Sequence, residues 1–462
     1  MPRVPVFDHK MSDSEALMWR MEQDPHLSST FANVTVLDHP GNAAAFRARM
    51  ERASWAVRRL RQRVRPAPAN LTVPVWEDDP DFDIDYHVRH VAIPTPGSMR
   101  QLLDLATLIA ADPFDRTRPL WQFFVVDGLR GGKSALIQKL HHTIIDGEGG
   151  VRMSLEFLDF ERDAPEPEPL DPDMVDAARA AQPDGPSPDL LRDLVAGSLR
   201  MPLGIIRQIK DLLADPAGIP EAGSAAADTV RSVLSQLGDT EAAHSPLWTA
   251  RSLQRRMEVL RVPFEDTKAA AKRLGGTLNT AFLTAAAEAA GRYHRDLDAP
   301  VDTLRASMAI STRTERSGAN AFSLARMLVP TGDMPIAERF AAIHEATVAA
   351  RDAGSSASLE TLAAVASTLP TSLVTRLARQ QAQTVDFATS NVRGAPLALY
   401  LAGARIMENY PVGPLGGVAY NLTLLSYDHS LDMGVNIDTA AVTEPELLRR
   451  CLERAFKDLL AA

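Results

Sequence analysis

The sequence predicts a mixed α/β protein made of two halves. The chain has 462 residues, which is enough for two domains or one large one. Strand-like and helix-like hydrophobic patterns are mixed within each half, as two facing α/β layers require. The stretch 163–189 is rich in proline and acidic residues, and such a composition does not form a packed core. We therefore predict a first half over 1–162, a linker and helical crossover over 163–250, and a second half over 251–462.

The composition argues against several classes of protein. A net charge of −10 makes nucleic acid an unsuitable partner, and the single cysteine, Cys451, cannot form an internal disulfide. No run of about 18 apolar residues predicts a transmembrane helix, and residues 1–10 lack the apolar core of a signal peptide. We expect a cytoplasmic protein that would meet any lipid from the aqueous side.

In the first half, Ser12 and Glu15 have the spacing of a capping box that opens a short helix. The hydrophobic pattern then predicts strands over 31–37, 122–126 and 134–140, an extended segment within 76–93, and helices over 43–61 and 99–110. Residues 128–134 resemble a phosphate-binding loop, but they are one residue short of the pattern and lie between two strands. We therefore predict a hairpin turn at this point.

The segment 190–213 differs from the acidic linker before it. Its apolar residues fall into two groups with basic residues between them, and Pro202 and Gly204 divide it into two short amphipathic helices. Helices of this kind either pack across a domain junction or rest on a lipid surface. The sequence leaves both possibilities open.

In the second half, a helix that follows Pro263 is expected to end at Gly275 and Gly276, and an alanine-rich helix to run from Thr277 to Tyr293. A capping box within 443–446 is expected to open the last helix. The remaining patterns predict strands over 301–311, 322–329, 387–392, 397–401, 418–425 and 432–437, and helices over 336–351 and 359–381.

The central motif is HHTIIDG at residues 141–147, where the strand predicted over 134–140 ends. A histidine at such a strand end can face a cavity and exchange a proton near neutral pH, because its unperturbed pKa is about 6.5. Asp146 can turn back to fix the loop or orient a ring, and Gly147 permits a tight turn. His141 and His142 followed at this spacing by Asp-Gly form a rare combination, which predicts a catalytic site.

This motif resembles the HHxxxDG signature of the CoA-dependent acyltransferase superfamily. Four other stretches are similar to the bacterial wax ester synthase/diacylglycerol acyltransferase family within it, and they are residues 76–88, 115–121, 390–396 and 410–415. The resemblance covers residues from about 11 to about 459. It implies two chloramphenicol-acetyltransferase-like α/β domains with a tunnel between them. It also implies an O-acyltransferase that moves a long-chain acyl group from acyl-CoA to a diacylglycerol or a long-chain alcohol.

By the same resemblance, His142 is the general base and acts without a covalent enzyme intermediate. His141 is expected to support the loop, and Asp146 to be an architectural partner of an arginine, for which Arg313 is the candidate. The resemblance also implies substrate contacts, and the candidates for them are Asn279, Arg313, Asn391, Ser426, Tyr427 and Trp121. Thr280 stands where the family has the aspartate of an Asn-Asp pair, so this chain has no carboxylate at that position.

Adjacent histidines also suggest a zinc site, but neighbouring residues on a strand point to opposite faces, so His141 and His142 would not bind one metal together. We therefore expect no metal and no cofactor, since acyl-CoA is a substrate. The expected partners are acyl-CoA, a diacylglycerol or long-chain alcohol, and the surface of the inner membrane face or of lipid inclusions.

Two other functions stay open. One is an acyltransferase of the same superfamily that uses another donor or acceptor, and the blocks at 119–121 and 390–396 argue against it. The other is a non-catalytic protein that binds lipid inclusions, and the intact His142, Asp146 and Gly147 argue against that. The sequence alone does not choose between the two acceptors, and it does not fix the acyl chain length or the oligomeric state.

Overall fold

The computed structural model describes residues 9–66, 73–145, 147–165, 243–311, 322–352, 363 and 371–462. Asp146, Arg313, the amphipathic segment 190–213 and nearly all of the predicted linker therefore lie outside the described residues. The described part of the chain forms two six-stranded sheets and one two-stranded sheet. None of its helices is long and apolar enough to span a membrane.

The first half alternates helices and strands as predicted. Its helices are α1 (Asp13–Met21), α2 (Ala43–Ala56), α3 (Ile84–His87), α4 (Met99–Ala111) and α5 (Gly147–Ser154). Its strands are β1 (Thr30–Leu37), β2 (Gln62–Arg65), β3 (Val75–Asp78), β4 (Val88–Ala92), β5 (Trp121–Leu129) and β6 (Lys133–His141). The predicted capping box is confirmed, since Ser12 and Glu15 bond to each other's backbone at the start of α1.

The second half has the same mixed character. Its strands are β7 (Arg255–Pro263), β8 (Thr303–Ser311), β9 (Phe322–Pro330), β10 (Phe387–Arg393), β11 (Tyr400–Leu401), β12 (Ala404–Val412), β13 (Tyr420–Tyr427) and β14 (Ser430–Asp438). Its helices are α6 (Phe264–Arg273), α7 (Leu278–Asp296), α8 (Ile336–Asp352), α9 (Thr371–Ala382) and α10 (Pro445–Ala461). Because α7 is rich in alanine, it packs closely against α10 and α8 and forms much of the second core.

Strands of both halves build the first sheet. Its order is β11-β12-β1-β6-β5-β4, and the second sheet has the order β7-β14-β13-β10-β8-β9. β12 pairs antiparallel with β1, so that Val34 lies opposite Tyr410. The second half thus supplies two strands to the sheet that carries the histidine motif, and the division of the chain at 162 and 251 stays a prediction.

The hairpin of β5 and β6 brings the histidine motif to the middle of the first sheet. Gly131 and Gly132 in its turn have φ values of +82° and +72°, which glycine adopts at little cost. The predicted hairpin is therefore confirmed, and no phosphate-binding loop forms there. β6 then pairs with β1 over residues 134–141, with Thr30 opposite His141.

The two faces of the first sheet pack against different layers. Ala32, Val34 and Ile137 pack with the apolar side of α4. On the opposite face, Leu136 and Leu140 pack with α2 and the buried tryptophans. Burial of each large aliphatic side chain contributes about 1.5–3 kcal/mol to folding, which fixes the register of β6 and hence the position of the motif.

The two sheets come together where β12 contacts β13 and β14. Gly434 permits this approach, because a Cβ atom there would lie 2.1 Å from the carbonyl oxygen of Pro411.

Gly434→Ala is therefore expected to lower the free energy of unfolding by about 1–3 kcal/mol, measured by urea denaturation. Gly150→Ala is the control, since a Cβ there meets nothing within 4 Å. Wild-type stability in Gly434→Ala would contradict the close approach.

Several predicted elements differ from the structure. The helix predicted over 43–61 ends at Ala56 and continues as a 3₁₀ turn, and the strand predicted over 397–401 shortens to β11. β7 and β12 were not predicted, because charged residues and Pro411 obscure the strand pattern. The capping box predicted for the last helix is wrong, since Glu444 precedes Pro445 without a side-chain cap. Of the helix predicted over 359–381, the structure describes α9 and residue 363.

Candidate active site

His142 directly follows β6, at the point where the strand turns into the loop before α5. Its backbone N–H donates to the carbonyl oxygen of Ser29 at 3.1 Å. The centre of its ring lies 4.6 Å from that of Phe31, with the two ring planes tilted by 41°. The side chain is half-buried. The residue expected to be the base is therefore held against an aromatic ring while part of it stays accessible.

His141 has the opposite environment. It is only 1% exposed, and its Nδ1 accepts the backbone N–H of Thr143 at 3.1 Å. Because Nδ1 is an acceptor, Nε2 carries the proton. The Nε2–H group donates a hydrogen bond to Glu22 Oε2 at 3.0 Å. Both ring nitrogens are thus used within the protein. These bonds tie His141 to Thr143 of the loop and to Glu22, and its supporting role in the site stays a prediction.

Glu22 is a site residue that the sequence did not reveal. Its carboxylate accepts hydrogen bonds from His141, from the Ser28 hydroxyl at 2.7 Å and from the Ser29 N–H at 2.7 Å. Burial by itself would raise the pKa of Glu22, but these bonds and the histidine outweigh it and lower the pKa to about 2. One ionised carboxylate therefore holds His141 directly and holds His142 through Ser29.

A buried lysine lies on the same face of β6 as His141. The Nζ of Lys139 donates to the carbonyl oxygen of Asp112 at 2.6 Å and lies 4.3 Å from the centre of the Phe114 ring. Burial lowers the pKa of Lys139 to about 8. The Phe114 ring also contacts His141 edge-on, with 6.4 Å between ring centres. Lys139 and Phe114 therefore pack on the face of β6 that carries His141.

Two candidate substrate contacts come together in the second half. Asn391 on β10 donates from Nδ2 to Oδ1 of Asn279, near the start of α7, at 2.7 Å. β10 contacts α5, the helix that follows the histidine motif. Thr280, which replaces the expected aspartate, is buried, and its hydroxyl lies 3.2 Å from Nδ1 of His344 on α8. Asn391 therefore lies on the strand that contacts α5, and Asn279 is bonded to it from α7.

Ser426 joins the block at 390–396 to β13. It is half-buried, and its Oγ accepts the backbone N–H of Gly394 at 3.2 Å. A Cβ atom on Gly394 would lie 2.3 Å from the carbonyl oxygen of Ser426, so only glycine fits this approach. The structure shows a bracing contact for Ser426, and a contact with substrate stays a prediction.

Tyr427 and Trp121 lie in the core. The Tyr427 hydroxyl accepts the Leu399 N–H at 2.9 Å and donates to the carbonyl oxygen of Ile406 at 3.1 Å, and burial raises its pKa to about 12. Trp121 is fully buried, and its indole N–H donates to the carbonyl oxygen of Leu60 at 2.7 Å. Their polar groups are used within the protein, so this geometry favours supporting roles over the substrate contacts predicted for them.

Tyr427→Phe tests this difference. We expect the free energy of unfolding to fall by about 1–3 kcal/mol, because two buried backbone groups lose their partner. We expect the kcat and KM of the acyl transfer that the resemblance implies to stay within about twofold of wild type. Urea denaturation and steady-state kinetics on the same preparation check both. A large rise in KM with unchanged stability would instead show that the hydroxyl binds substrate.

The environments of the two histidines also bear on metal binding. His141 is bonded to Glu22, whereas His142 packs on Phe31. Within the described ranges, no three side chains of His, Cys, Asp or Glu are grouped so that they could hold a metal ion. The structure describes Gly147 only as the first residue of α5.

Comparison with known proteins gives the family. Residues 11–282 match the family model of the wax ester synthase/diacylglycerol acyltransferase catalytic domain, and residues 318–460 match that of the WS/DGAT C-terminal domain. A candidate diacylglycerol O-acyltransferase of Mycobacterium tuberculosis strain H37Rv is 33% identical, over 99% of this chain and 93% of its own length. A second from the same strain is 32% identical, over 87% of this chain and 86% of its own length.

Solved structures confirm the predicted fold class. The wax ester synthase/diacylglycerol acyltransferase of Marinobacter aquaeolei VT8 matches with a TM-score of 0.66 at 20% identity, over 97% of this chain and 98% of that one. The starter condensation domain of rhizomide synthetase in complex with C8-CoA matches with a TM-score of 0.57 at 14% identity, over 99% and 95%. At these identities the likeness concerns the fold alone.

Proposed function

Because this chain belongs to the wax ester synthase/diacylglycerol acyltransferase family and is an acyltransferase, we propose that it moves a long-chain fatty acyl group from acyl-CoA to the free hydroxyl of a diacylglycerol. The names of the mycobacterial relatives favour this acceptor. A long-chain alcohol is the second candidate, because the Marinobacter protein of the same fold is named a wax ester synthase as well.

The observation that carries the proposal is the unequal environment of the two histidines. His141 is buried and uses both ring nitrogens within the protein, whereas His142 is half-buried beside Phe31. A general base must be accessible to its substrate and yet held in one orientation. The Ser29 carbonyl and the Phe31 ring hold His142 in that way, so His142 is the base in this proposal.

The acyl group moves directly from CoA to the acceptor hydroxyl through one tetrahedral intermediate. His142 accepts the proton of the acceptor hydroxyl as its oxygen attacks the thioester carbonyl, and a C–O bond forms. The tetrahedral oxyanion then collapses, the C–S bond breaks, and His142 returns the proton to the leaving CoA thiolate. The products are an ester and free CoA, and no acyl group becomes attached to the protein.

The oxyanion needs hydrogen-bond donors, and Asn391 is our candidate. One N–H of its amide is bonded to Asn279, which orients the group, and the second N–H is left for a ligand. β10 carries Asn391 and contacts α5, the helix that begins at Gly147 of the motif. We further propose that Asp146 fixes the loop by pairing with an arginine, with Arg313 as the candidate.

The acceptor also sets where the enzyme works. A diacylglycerol resides in a membrane or a lipid inclusion, so we propose that the protein binds such a surface peripherally from the cytoplasmic side. Flotation with vesicles that contain dioleoylglycerol should carry the protein to the top of a density gradient. Recovery of all the protein in the bottom fractions would contradict surface binding.

Product analysis tests the acceptor. The enzyme is incubated with palmitoyl-CoA and either 1,2-dioleoylglycerol or hexadecanol, and the esters are identified by mass spectrometry. We expect triacylglycerol as the main product when both acceptors compete at equal concentration. Wax ester as the main product would assign the enzyme to the second candidate function. No ester from either acceptor would contradict both.

A further inference from the structure

Four polar side chains form a row across three neighbouring strands of the first sheet, which we call the amide row. It consists of Asn33 and Thr35 on β1, Gln138 on β6 and Asn409 on β12. Asn33 Nδ2 donates to Oδ1 of Asn409 at 2.6 Å and to Oε1 of Gln138 at 3.2 Å. The Thr35 hydroxyl donates to the same Asn409 oxygen at 2.9 Å. The row is thus connected internally.

The amide row lies on the face of the sheet to which the Phe31 ring belongs. Alternate residues of a strand share a face, so Phe31, Asn33 and Thr35 follow one another at intervals of about 7 Å. The Phe31 ring in turn contacts the His142 ring. Asn33, the first residue of the row, therefore lies one such interval from Phe31, whose ring contacts His142.

The burial of this face is unusual for the centre of a sheet. On the other face of β1, Ala32 and Val34 are 1% and 0% exposed. On the face of the row, Phe31, Asn33 and Asn409 are only half-buried, although β1 and β12 have neighbours on both sides. Asn33 and Asn409 are therefore accessible at the middle of the sheet, whereas Thr35 and Gln138 are 3% and 7% exposed.

The row also has donors that the protein does not use. Asn409 and Gln138 accept hydrogen bonds through their amide oxygens. Within the described residues, the amide nitrogens of these two side chains have no hydrogen-bond partner, although Gln138 is only 7% exposed. Neither nitrogen is fully buried, so each N–H is accessible and suited to an incoming carbonyl oxygen.

We propose that the amide row is a substrate subsite that binds a carbonyl oxygen of the extended substrate arm next to the reacting centre. Two substrates of the proposed reaction supply such a group. Acyl-CoA has amide carbonyls in its pantetheine arm, and a diacylglycerol has ester carbonyls beside its free hydroxyl. A long-chain alcohol has none. This inference rests on the proposed acyl transfer, and it names residues of the protein that recognise polar parts of the substrates.

The test uses two variants of Gln138. Gln138→Met keeps the length of the side chain and removes its amide, and Gln138→Glu keeps an oxygen for Asn33 but replaces the N–H donors by an ionisable carboxyl group. The control is Gln122→Met, since Gln122 is also a buried glutamine of this sheet but shares the opposite face with Lys139. KM is measured for palmitoyl-CoA, 1,2-dioleoylglycerol and hexadecanol, and thermal melting verifies the fold of each variant.

We expect one KM to rise about 5- to 20-fold in both Gln138 variants, with kcat within about threefold of wild type, because each loses hydrogen bonds to substrate. A rise in KM for palmitoyl-CoA with either acceptor assigns the row to the pantetheine arm. A rise for dioleoylglycerol alone, with hexadecanol unchanged, assigns it to the glyceride.

Wild-type KM values for all three substrates in both folded Gln138 variants would overturn the inference, whether or not kcat falls. An equal rise of KM in Gln122→Met would do the same, because the effect would then be a general loosening of the sheet. An inactive wild-type enzyme is a separate result, and it would reject the proposed function itself.

Discussion

Replacement of His142 by alanine is expected to lower kcat by about 10²- to 10⁴-fold, which is the usual contribution of a general base. The loss should fall on kcat, because the imidazole acts in the transition state and the two substrates keep their other contacts. Stability should change little, since His142 is half-buried and the loop is braced by its neighbour. Steady-state kinetics with palmitoyl-CoA and dioleoylglycerol, together with a thermal melt, measure these quantities.

His90→Ala is the matched control for that variant. His90 is an exposed histidine of the same sheet, and its Nε2 lies 2.6 Å from Asp127 Oδ2. It lies on β4, which is separated from β1 by β6 and β5. Its kcat should stay within about twofold of wild type. Activity of His142→Ala within about threefold of wild type would show that another group is the base.

Glu22→Gln should have the second largest effect. Glutamine has one amide oxygen, so it cannot accept from His141, Ser28 and Ser29 as the carboxylate does, and it has no charge. We expect kcat to fall about 10- to 100-fold with little change in KM, because the His142 backbone is held through Ser29. Glu51→Gln, which removes a half-exposed partner of Arg47, is the control and should keep full activity.

The stability of Glu22→Gln should also depend on pH. The pKa of Glu22 falls from 4.5 to about 2 on folding, so its ionisation stabilises the native state by up to about 3 kcal/mol. Solvent screening of the partly exposed side chain reduces this stabilisation. That stabilisation is complete above pH 4.5 and is lost as the pH falls toward 2. The difference in unfolding free energy between wild type and variant should therefore be larger at pH 7 than at pH 3.

Urea denaturation at the two pH values measures the pH effect. A difference that is the same at pH 3 and pH 7 would show that the carboxylate charge does not stabilise the fold. Wild-type kcat in Glu22→Gln would show that the contacts of Glu22 leave the base in place without it.

Local features of the fold could be predicted from the sequence, because they depend on neighbouring residues. The capping box at Ser12, the hairpin glycines and the strand that ends in the motif are of this kind. Glu22 could not be predicted, since it is 119 residues from His141 and follows an ordinary short helix. β12 was missed because Pro411 obscures its strand pattern, and its place in the first sheet depends on pairing with the distant β1.

The site shows the same division. The motif and its resemblance pointed to His142 and to the pair Asn279 and Asn391, which the fold brings together across 112 residues. The resemblance also suggested substrate contacts at Trp121 and Tyr427, yet packing places both in the core. A conspicuous block of sequence therefore indicates a family, whereas the hydrogen bonds of each side chain decide what it does in the fold.

The central claim is acyl transfer from acyl-CoA with His142 as the base, and the release of free CoA thiol from palmitoyl-CoA tests it most directly. Wild type and His142→Ala are compared with dioleoylglycerol, with hexadecanol and without acceptor. We expect release that depends on the acceptor in wild type and falls at least about 100-fold in the variant. Release that is independent of acceptor, or equal in the folded variant, would contradict the claim.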